Sequence, residues 1–190
     1  MPADRPQFSA PPTESPEGVL ARWQARADEV RTRLGPAGAV HPEQARDKTG
    51  MALFEAMFRG ELPSAPIGHL LDFLPVEVEP GRAVFQGRPG RQHYNPLGTV
   101  HGGWFATLLD SAVACAVHTL LPAGKLYTTL ELKLNIVRAL TDRVPLVRAE
   151  GVVVHPGRQV ATAEGRLYGP DGQLYAHAST TCLVFDARPA

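Results

Sequence analysis

The sequence has few of the features that mark several large classes of protein. Its 190 residues include only two cysteines, Cys115 and Cys182, which is too few for a disulfide framework or a spaced metal site. Lysine plus arginine and aspartate plus glutamate number 19 each, so no excess charge draws the chain to nucleic acid or to an anionic membrane. We therefore expect a protein of a reducing, cytoplasmic setting, with no nucleic-acid partner and no metal.

Signals for export and for membrane insertion are also missing. The N-terminus has Asp4 and Arg5 among prolines and lacks the basic start and apolar stretch of a secretory signal. The most apolar run, residues 102–121, contains Asp110, and an aspartate in a membrane span costs about 2.5–3.5 kcal/mol. This run is therefore expected to be a helix enclosed in protein.

Composition divides the chain into three parts. Residues 1–14 are rich in proline and poor in apolar side chains, which predicts a flexible tail. Residues 15–60 carry two amphipathic helical patterns, the second from about Glu43 to Arg59. They predict a helical arm that covers a sheet edge or extends an interface, because no chemical motif falls there. Residues 61–186 are expected to form the main domain.

The main domain alternates apolar and polar residues with the period of a strand. Glu79-Pro80-Gly81-Arg82 indicates a hairpin turn between the first two strands. Four further strands are predicted after the apolar run, at residues 127–138, 146–154, 159–168 and 174–185. Turns with proline, glycine or charged residues separate them, which favours an antiparallel sheet.

The apolar run itself is hydrophobic nearly all the way round a helix, so protein must enclose it. This predicts an α+β fold in which a curved antiparallel sheet wraps around one central helix, with an N-terminal helical extension. Self-association is the simplest cover for the open side. In the strand at 127–138, strict alternation predicts Leu130 on the face of Leu132 and Leu134, and Thr129 on the opposite face.

Chemistry is concentrated where the central helix begins. Gly102 and Gly103 allow close approach to free backbone N–H groups, which suit a developing oxyanion. The alternative is that the glycine pair only permits a tight start of the helix under the sheet. Asp110 is the one acid in the apolar run, and a desolvated carboxylate is costly unless it is hydrogen-bonded or functional. The alternative for Asp110 is a structural bond to Ser111 or Thr107.

Helix geometry separates these groups. Asp110 is eight residues after Gly102, which is about 12 Å along a helix axis, so one helix cannot bring both to one carbon atom. Two antiparallel helices about a two-fold axis would bring them together, which predicts a site at a subunit interface. Asn95 and His101 precede the glycines and could orient substrate, water or the loop. Each could equally serve only to stabilise the loop.

These residues resemble a known family. The segment His93-x-Asn95-x-x-Gly98-x-x-His101-Gly102-Gly103, with Asp110 and a later Thr129-x-Glu131-Leu132, is similar to the PaaI-like acyl-CoA thioesterases of the hotdog superfamily. The resemblance covers about residues 65–185. It implies a hotdog fold that hydrolyses acyl-coenzyme A without a cofactor beyond the coenzyme A of the substrate. It also implies a homodimer, and a homotetramer is expected.

The resemblance implies roles for individual residues. Asp110 would be the general base or nucleophile, and the Gly102 N–H would be the oxyanion donor. Asn95 and Thr129 would position the thioester and water, and His101 would fix the loop, with Asp110 and Thr129 on one subunit and the others on its partner. Substrate-binding residues are expected to be Gly103, Trp104, Arg138, Gly157 and Arg158, the arginines for coenzyme A phosphates. A solvated turn and an exposed strand end are the alternative for the arginine segments.

The sequence departs from the family pattern at two points. Arg138 is followed by alanine where relatives often have proline, and one extra residue separates Asp110 from Thr129.

A non-catalytic acyl-CoA-binding module is the main alternative to a hydrolase, and a dehydratase is another. A binder has no use for a desolvated carboxylate beside a thioester, so Asp110 favours hydrolysis.

Overall fold

The computed structural model describes residues 6–10 and 12–187. The rest of the predicted tail, residues 1–5 and 11, lies outside the described residues. The helices are α1 (Pro16–Arg33), α2 (Pro42–Ala45), α3 (Gly50–Phe58), α4 (Pro66–Leu70) and α5 (Gly102–His118). The strands are β1 (Phe73–Glu79), β2 (Arg82–Gly87), β3 (Lys125–Ile136), β4 (Val147–His155), β5 (Val160–Tyr168) and β6 (Leu174–Asp186).

The six strands form one antiparallel sheet in the order β1-β2-β4-β5-β6-β3. The inner face of the sheet packs on α5, which contacts all six strands. Apolar side chains of α5 and of the inner sheet face form the main core, which includes Phe105, Leu108, Leu109 and Val113. The predicted α+β architecture, a curved sheet around a central helix, is confirmed. No helix in the described part of the chain is long and apolar enough to cross a membrane.

The arm covers the outer face of the sheet. α1 begins after Ser15, whose side chain accepts a hydrogen bond from the Gly18 N–H, as the sequence predicts for an N-cap. Its buried face packs on the sheet through Val19, Trp23, Ala27 and Val30. The Gln86 side chain, which is buried on β2, donates to the Trp23 carbonyl at 3.1 Å and ties this helix to the sheet.

The segment predicted as one helix over 43–59 is two helices. Thr49 caps α3 through its hydroxyl, which accepts from the Ala52 N–H at 3.2 Å. Gly50 lies directly against α5: its N–H donates to the Leu121 carbonyl, and a Cβ at this position would overlap the His118 carbonyl. This backbone contact and the cap set the break, which hydrophobic spacing alone could not show. The central helix likewise ends at His118 rather than at the predicted residue 121.

Residues 6–10 contact the sheet, unlike the loose tail that composition predicts. The Ser9 backbone N–H and hydroxyl both donate to the Glu150 carboxylate, at 2.9 to 3.2 Å. The Arg166 guanidinium lies over the Phe8 ring, 4.2 Å from its centre. The segment is ordered because it satisfies a buried carboxylate, which its own composition does not reveal.

A β-bulge corrects the predicted faces of β3. Thr129 is opposite Cys182 on β6, but Glu131 is opposite Thr181, so Leu130 is an extra residue in the ladder. The prediction of strict alternation is therefore wrong at this point. Tyr127 before the bulge and Leu132 after it both pack on the core, while Leu130 is 60% exposed. The bulge places Thr129 on the inner face of the strand.

Candidate active site

The loop before α5 is fixed by backbone hydrogen bonds at both ends. The His101 N–H donates to the His93 carbonyl at 2.8 Å, and the Val100 N–H donates to the Leu140 carbonyl at 2.9 Å. His101 is also the N-cap of α5, because its Nδ1 accepts from the Gly103 N–H at 2.9 Å. The structure thus gives His101 the loop-fixing position expected of it.

Only one of the two glycine amides is available to a ligand. The Gly103 N–H is occupied by His101, whereas the Gly102 N–H has no acceptor within residues 6–10 and 12–187. Gly102 is the first residue of α5, where the helix dipole favours negative charge. An open depression of about 350 Å³ adjoins it, lined also by Asn95 and Arg138. The geometry therefore favours Gly102 over Gly103 as an oxyanion donor.

Asn95 folds the loop that leads to this depression. Its Oδ1 accepts from the Leu97 N–H at 2.8 Å, and its Nδ2 donates to the Thr99 hydroxyl at 2.9 Å. The turn exposes Leu97, at 91% of its surface, at the loop tip. In a single chain, Asn95 therefore positions the loop.

Asp110 lies in the middle of α5 on the face that the sheet leaves uncovered. Its Oδ1 accepts a hydrogen bond from the Thr129 hydroxyl at 3.1 Å. Burial raises the pKa of the Asp110 carboxyl above its ordinary value, and the Thr129 hydrogen bond opposes that rise. The result is a carboxylate that is more basic than usual and has one hydrogen-bond partner among the described residues.

Neither of the two structural partners suggested by the sequence, Ser111 and Thr107, bonds to Asp110. The Ser111 hydroxyl donates to the Thr107 carbonyl at 2.8 Å, and the Thr107 hydroxyl donates to the Gly103 carbonyl at 2.9 Å. Both hydroxyls therefore bond along the helix backbone rather than to Asp110. The carboxylate is left free to act on a ligand.

The structure brings the predicted catalytic residues into two groups. Asn95, His101 and Gly102 lie together at the start of α5, and Asp110 lies with Thr129 about 12 Å further along the axis. Both groups lie beside β3, because Ile136 lines the depression at Gly102 and Thr129 bonds to Asp110. That strand is an edge of the sheet and exposes apolar residues, among them Leu126, Leu130 and Ile136.

Trp104 lies in the core rather than along the open face. Only 3% of it is exposed, and its indole N–H donates to the Leu71 carbonyl at 2.9 Å. Its ring stacks on that of His93, with centres 5.5 Å apart. The prediction that Trp104 contacts substrate thus conflicts with its position, because a helix residue two after Gly102 points inward here.

The two candidate arginines lie at opposite ends of α5. Arg138 borders the depression beside Gly102. Arg158 and Gly157 border a different cavity at the C-terminal end of α5, together with Lys125. One protomer therefore brings Arg138, but not Arg158, to the oxyanion donor.

Three residues behind Asp110 were not singled out from the sequence. Burial raises the pKa of the Cys115 thiol to about 12, so this thiol stays neutral. The His118 ring packs on Tyr127 and on Phe54 of α3, and burial lowers its pKa to about 4. Apolar spacing places such residues in a core, but nothing in the spacing links them to Asp110.

Comparisons with known proteins agree with this geometry. The family model described as Thioesterase superfamily matches residues 97–176, which include Gly102, Asp110 and Thr129. No curated protein matches the chain. Solved structures do.

Three of those structures illustrate the similarity. A phenylacetic acid degradation-related protein from Ralstonia eutropha JMP134 is 30% identical with a TM-score of 0.63, over 68% of this chain and 98% of that one. A thioesterase family protein from Silicibacter pomeroyi is 25% identical with a TM-score of 0.60, over 64% and 90%. A mutant of the phenylacetic acid degradation protein PaaI from Thermus thermophilus is 29% identical with a TM-score of 0.56, over 62% and 97%.

Proposed function

The chain belongs to the PaaI-like hotdog thioesterases and is a thioester hydrolase, and from this premise we propose that it cleaves acyl-coenzyme A to a free acid and coenzyme A. One observation carries the proposal. Asp110 is a partly desolvated carboxylate with a raised pKa, and the one hydrogen bond that it accepts from the described residues comes from Thr129. Such a group on an uncovered face is suited to activate water or to attack a carbonyl carbon.

We propose that each site is shared by two subunits of a homodimer. The Gly102 N–H and Asp110 are about 12 Å apart on one helix, too far to act on one thioester. An antiparallel pairing of two α5 helices would bring Gly102 of one subunit to Asp110 of the other. The exposed apolar residues of the edge strand β3, such as Leu130 and Ile136, support this side as the contact surface.

The proposed reaction uses the groups in a fixed order. The thioester oxygen accepts a hydrogen bond from the Gly102 N–H, and Asp110 takes a proton from water as the water oxygen bonds to the carbonyl carbon. The helix N-terminus stabilises the oxyanion. The carbon–sulfur bond then breaks, and the coenzyme A thiolate leaves and takes up the proton. Direct attack by Asp110, followed by hydrolysis of an anhydride, would use the same groups.

Further parts of the proposal concern the substrate and the assembly. Arg138, at the edge of the depression beside Gly102, is suited to the coenzyme A phosphates, and Arg158 and Gly157 could reach them only from the partner subunit.

No resident cofactor is needed, because thiolate is a good leaving group. The two free thiols are consistent with a cytoplasmic setting. A tetramer would have to use surfaces that α1 and residues 6–10 leave open.

Thiol release from a panel of acyl-coenzyme A substrates tests the proposal. We expect release from at least one member, and a loss of about 10² to 10⁴ in rate for both Asp110→Asn and Asp110→Ala. Ser111→Ala is the matched control, since its hydroxyl bonds only the helix backbone, and it should keep the wild-type rate. Equal rates for wild type and both Asp110 variants would refute the assigned role.

A further inference from the structure

Two residues of β3 face inward although they are three positions apart. Thr129 bonds to Asp110, and Leu132 packs on the core. Side chains alternate along a strand, so a regular strand would turn one of these two residues outward. Both face inward because Leu130 is an extra residue in the ladder. The position of the Thr129 hydroxyl therefore depends on what holds this β-bulge.

Thr180 on β6 contacts β3 just beyond the bulge. It lies opposite Leu132, and its hydroxyl donates to the Glu131 carbonyl at 2.8 Å. Only 2% of Thr180 is exposed, and a hydroxyl buried away from water is costly unless it is hydrogen-bonded. Because a bulge disrupts the ladder of backbone hydrogen bonds, a side-chain donor beside it fixes the register from which Thr129 is placed.

We propose that Thr180 is a positioning residue for the hydrolysis: it holds the bulge that directs the Thr129 hydroxyl to Asp110. The inference rests on the proposed function, because that function assigns Asp110 and Thr129 to the active site. Thr180 acts through two hydrogen bonds in series, its own to the Glu131 carbonyl and that of Thr129 to the carboxylate. Loss of the first bond should weaken the second, which raises the pKa of Asp110 further.

The loss of activity on acidification should report the titration of Asp110 itself. Three titratable groups interact with its carboxylate, namely Cys115 on α5, Tyr127 on β3 and Cys182 on β6. Burial raises the pKa of each of them, so all three stay neutral in the range where a carboxylate titrates. Among the described residues, no charged side chain shifts the pKa of Asp110.

The pH dependence of kcat/KM for thiol release tests the inference. Thr180→Val removes the hydroxyl and should lower kcat/KM about threefold, with activity falling at a higher pH on acidification than in wild type. Thr180→Ser keeps the hydroxyl and should restore the wild-type profile. Thr181→Val is the matched control, because the Thr181 hydroxyl bonds the exposed Glu131 carboxylate at 3.3 Å. It should leave the profile unchanged.

A double-mutant cycle separates positioning from a general effect on packing. Thr180→Val should add nothing to the pH shift caused by Thr129→Val, since both changes remove the same hydrogen bond to Asp110. Three results would overturn the inference: an unshifted profile in Thr180→Val, an equal shift in Thr180→Ser, and additive shifts in the double variant.

Carbon-13 NMR titration of the Asp110 carboxyl, assigned by its absence in Asp110→Asn, compares the pKa values without catalysis. Equal Asp110 pKa values in wild type and Thr180→Val would refute the positioning role even if activity falls. Thr180→Ala serves in the same test if Thr180→Val does not fold. No thiol release from wild type, with the NMR shift present, would refute the proposed hydrolysis but not the link from Thr180 to Asp110.

Discussion

Two carboxylates on opposite sides of the sheet differ in how many hydrogen-bond partners they have. On the outer face, Glu150 is 1% exposed and fully paired: it accepts from the Arg82 guanidinium, from Ser9 and from the Tyr168 hydroxyl. On α5, the helix beside the inner face, Asp110 is less buried, yet it accepts one hydrogen bond among the described residues, from Thr129. Burial alone therefore does not identify a functional acid. The shortage of hydrogen-bond partners is what makes Asp110 the candidate.

The outer cluster continues beyond Glu150 and explains the arm. Arg148 donates to Glu77 at 2.6 Å and to Gln86 at 3.0 Å, and its guanidinium lies 4.7 Å from the centre of the Trp23 ring. α1 and residues 6–10 thus cover a set of charged side chains that already satisfy one another. The charged side chains of this cluster, Glu77, Arg82, Arg148 and Glu150, all form ion pairs with one another. Four predictions test the contrast with Asp110.

The largest expected effect on stability is that of Glu150→Gln. It leaves the Arg82 charge buried without its closest partner, which should lower the free energy of unfolding by about 3 kcal/mol. The rate of thiol release per folded protein should not change. Urea unfolding checks this, with Glu164→Gln on the neighbouring strand as an exposed control expected to have little effect. A loss of catalysis without a loss of stability would contradict the structural role assigned to Glu150.

Thr129→Val should lower kcat/KM about tenfold, because Asp110 loses its hydrogen-bond donor. The Thr129 hydrogen bond lowers the pKa of Asp110, so the variant should raise that pKa further. Since the ionised carboxylate is the active form, activity on acidification should fall at a higher pH than in wild type. Thr129→Ser should restore the wild-type profile. An unshifted profile in Thr129→Val would show that Thr129 does not act through Asp110.

Asp110→Asn should stabilise the fold at neutral pH, by about 1 kcal/mol. The folded-state pKa of Asp110 is raised, so its contribution to stability is present below the ordinary pKa and is lost as pH rises through the raised value. The gain should therefore shrink as pH falls toward 4. Thermal melts of both proteins across this range measure it. A destabilised variant at pH 7 would indicate a structural aspartate.

Ser9→Ala should have the smallest effect, a loss of about 0.5–1 kcal/mol in the free energy of unfolding. The change removes the hydroxyl that donates to Glu150 and accepts from Arg82, while the Ser9 backbone N–H still binds the carboxylate. Thr13→Ala, which alters an exposed residue just before α1, is the control. Equal melting temperatures for the two variants would mean that the Ser9 hydroxyl adds no stability.

Local signals in the sequence predicted where α1 and α5 begin. Ser15-Pro16 and His101-Gly102 begin α1 and α5, because caps and glycines act within one turn. The hairpin at Pro80-Gly81 formed as predicted, with Gly81 at a positive φ of 80°. The separation of Gly102 from Asp110 also followed from helix geometry alone.

Features that depend on distant contacts were not predictable. The bulge at Leu130 depends on how β3 pairs with β6, and the break at Gly50 depends on the backbone of α5. Trp104 directly follows the glycine pair, but its side chain points into the core and bonds to the Leu71 carbonyl. The outer-face pairing of Ser9 with Glu150 joins residues 141 apart, so neither local composition nor spacing could predict it.

Subunit complementation tests whether Gly102 of one subunit and Asp110 of the other form one site. Asp110→Asn breaks one half of each site, and Asn95→Ala, which loosens the loop before Gly102, breaks the other half. Each variant homodimer should release little thiol. A purified heterodimer of the two should recover about half of the wild-type rate, because one of its two sites is intact. A heterodimer as inactive as its parents would contradict a shared site.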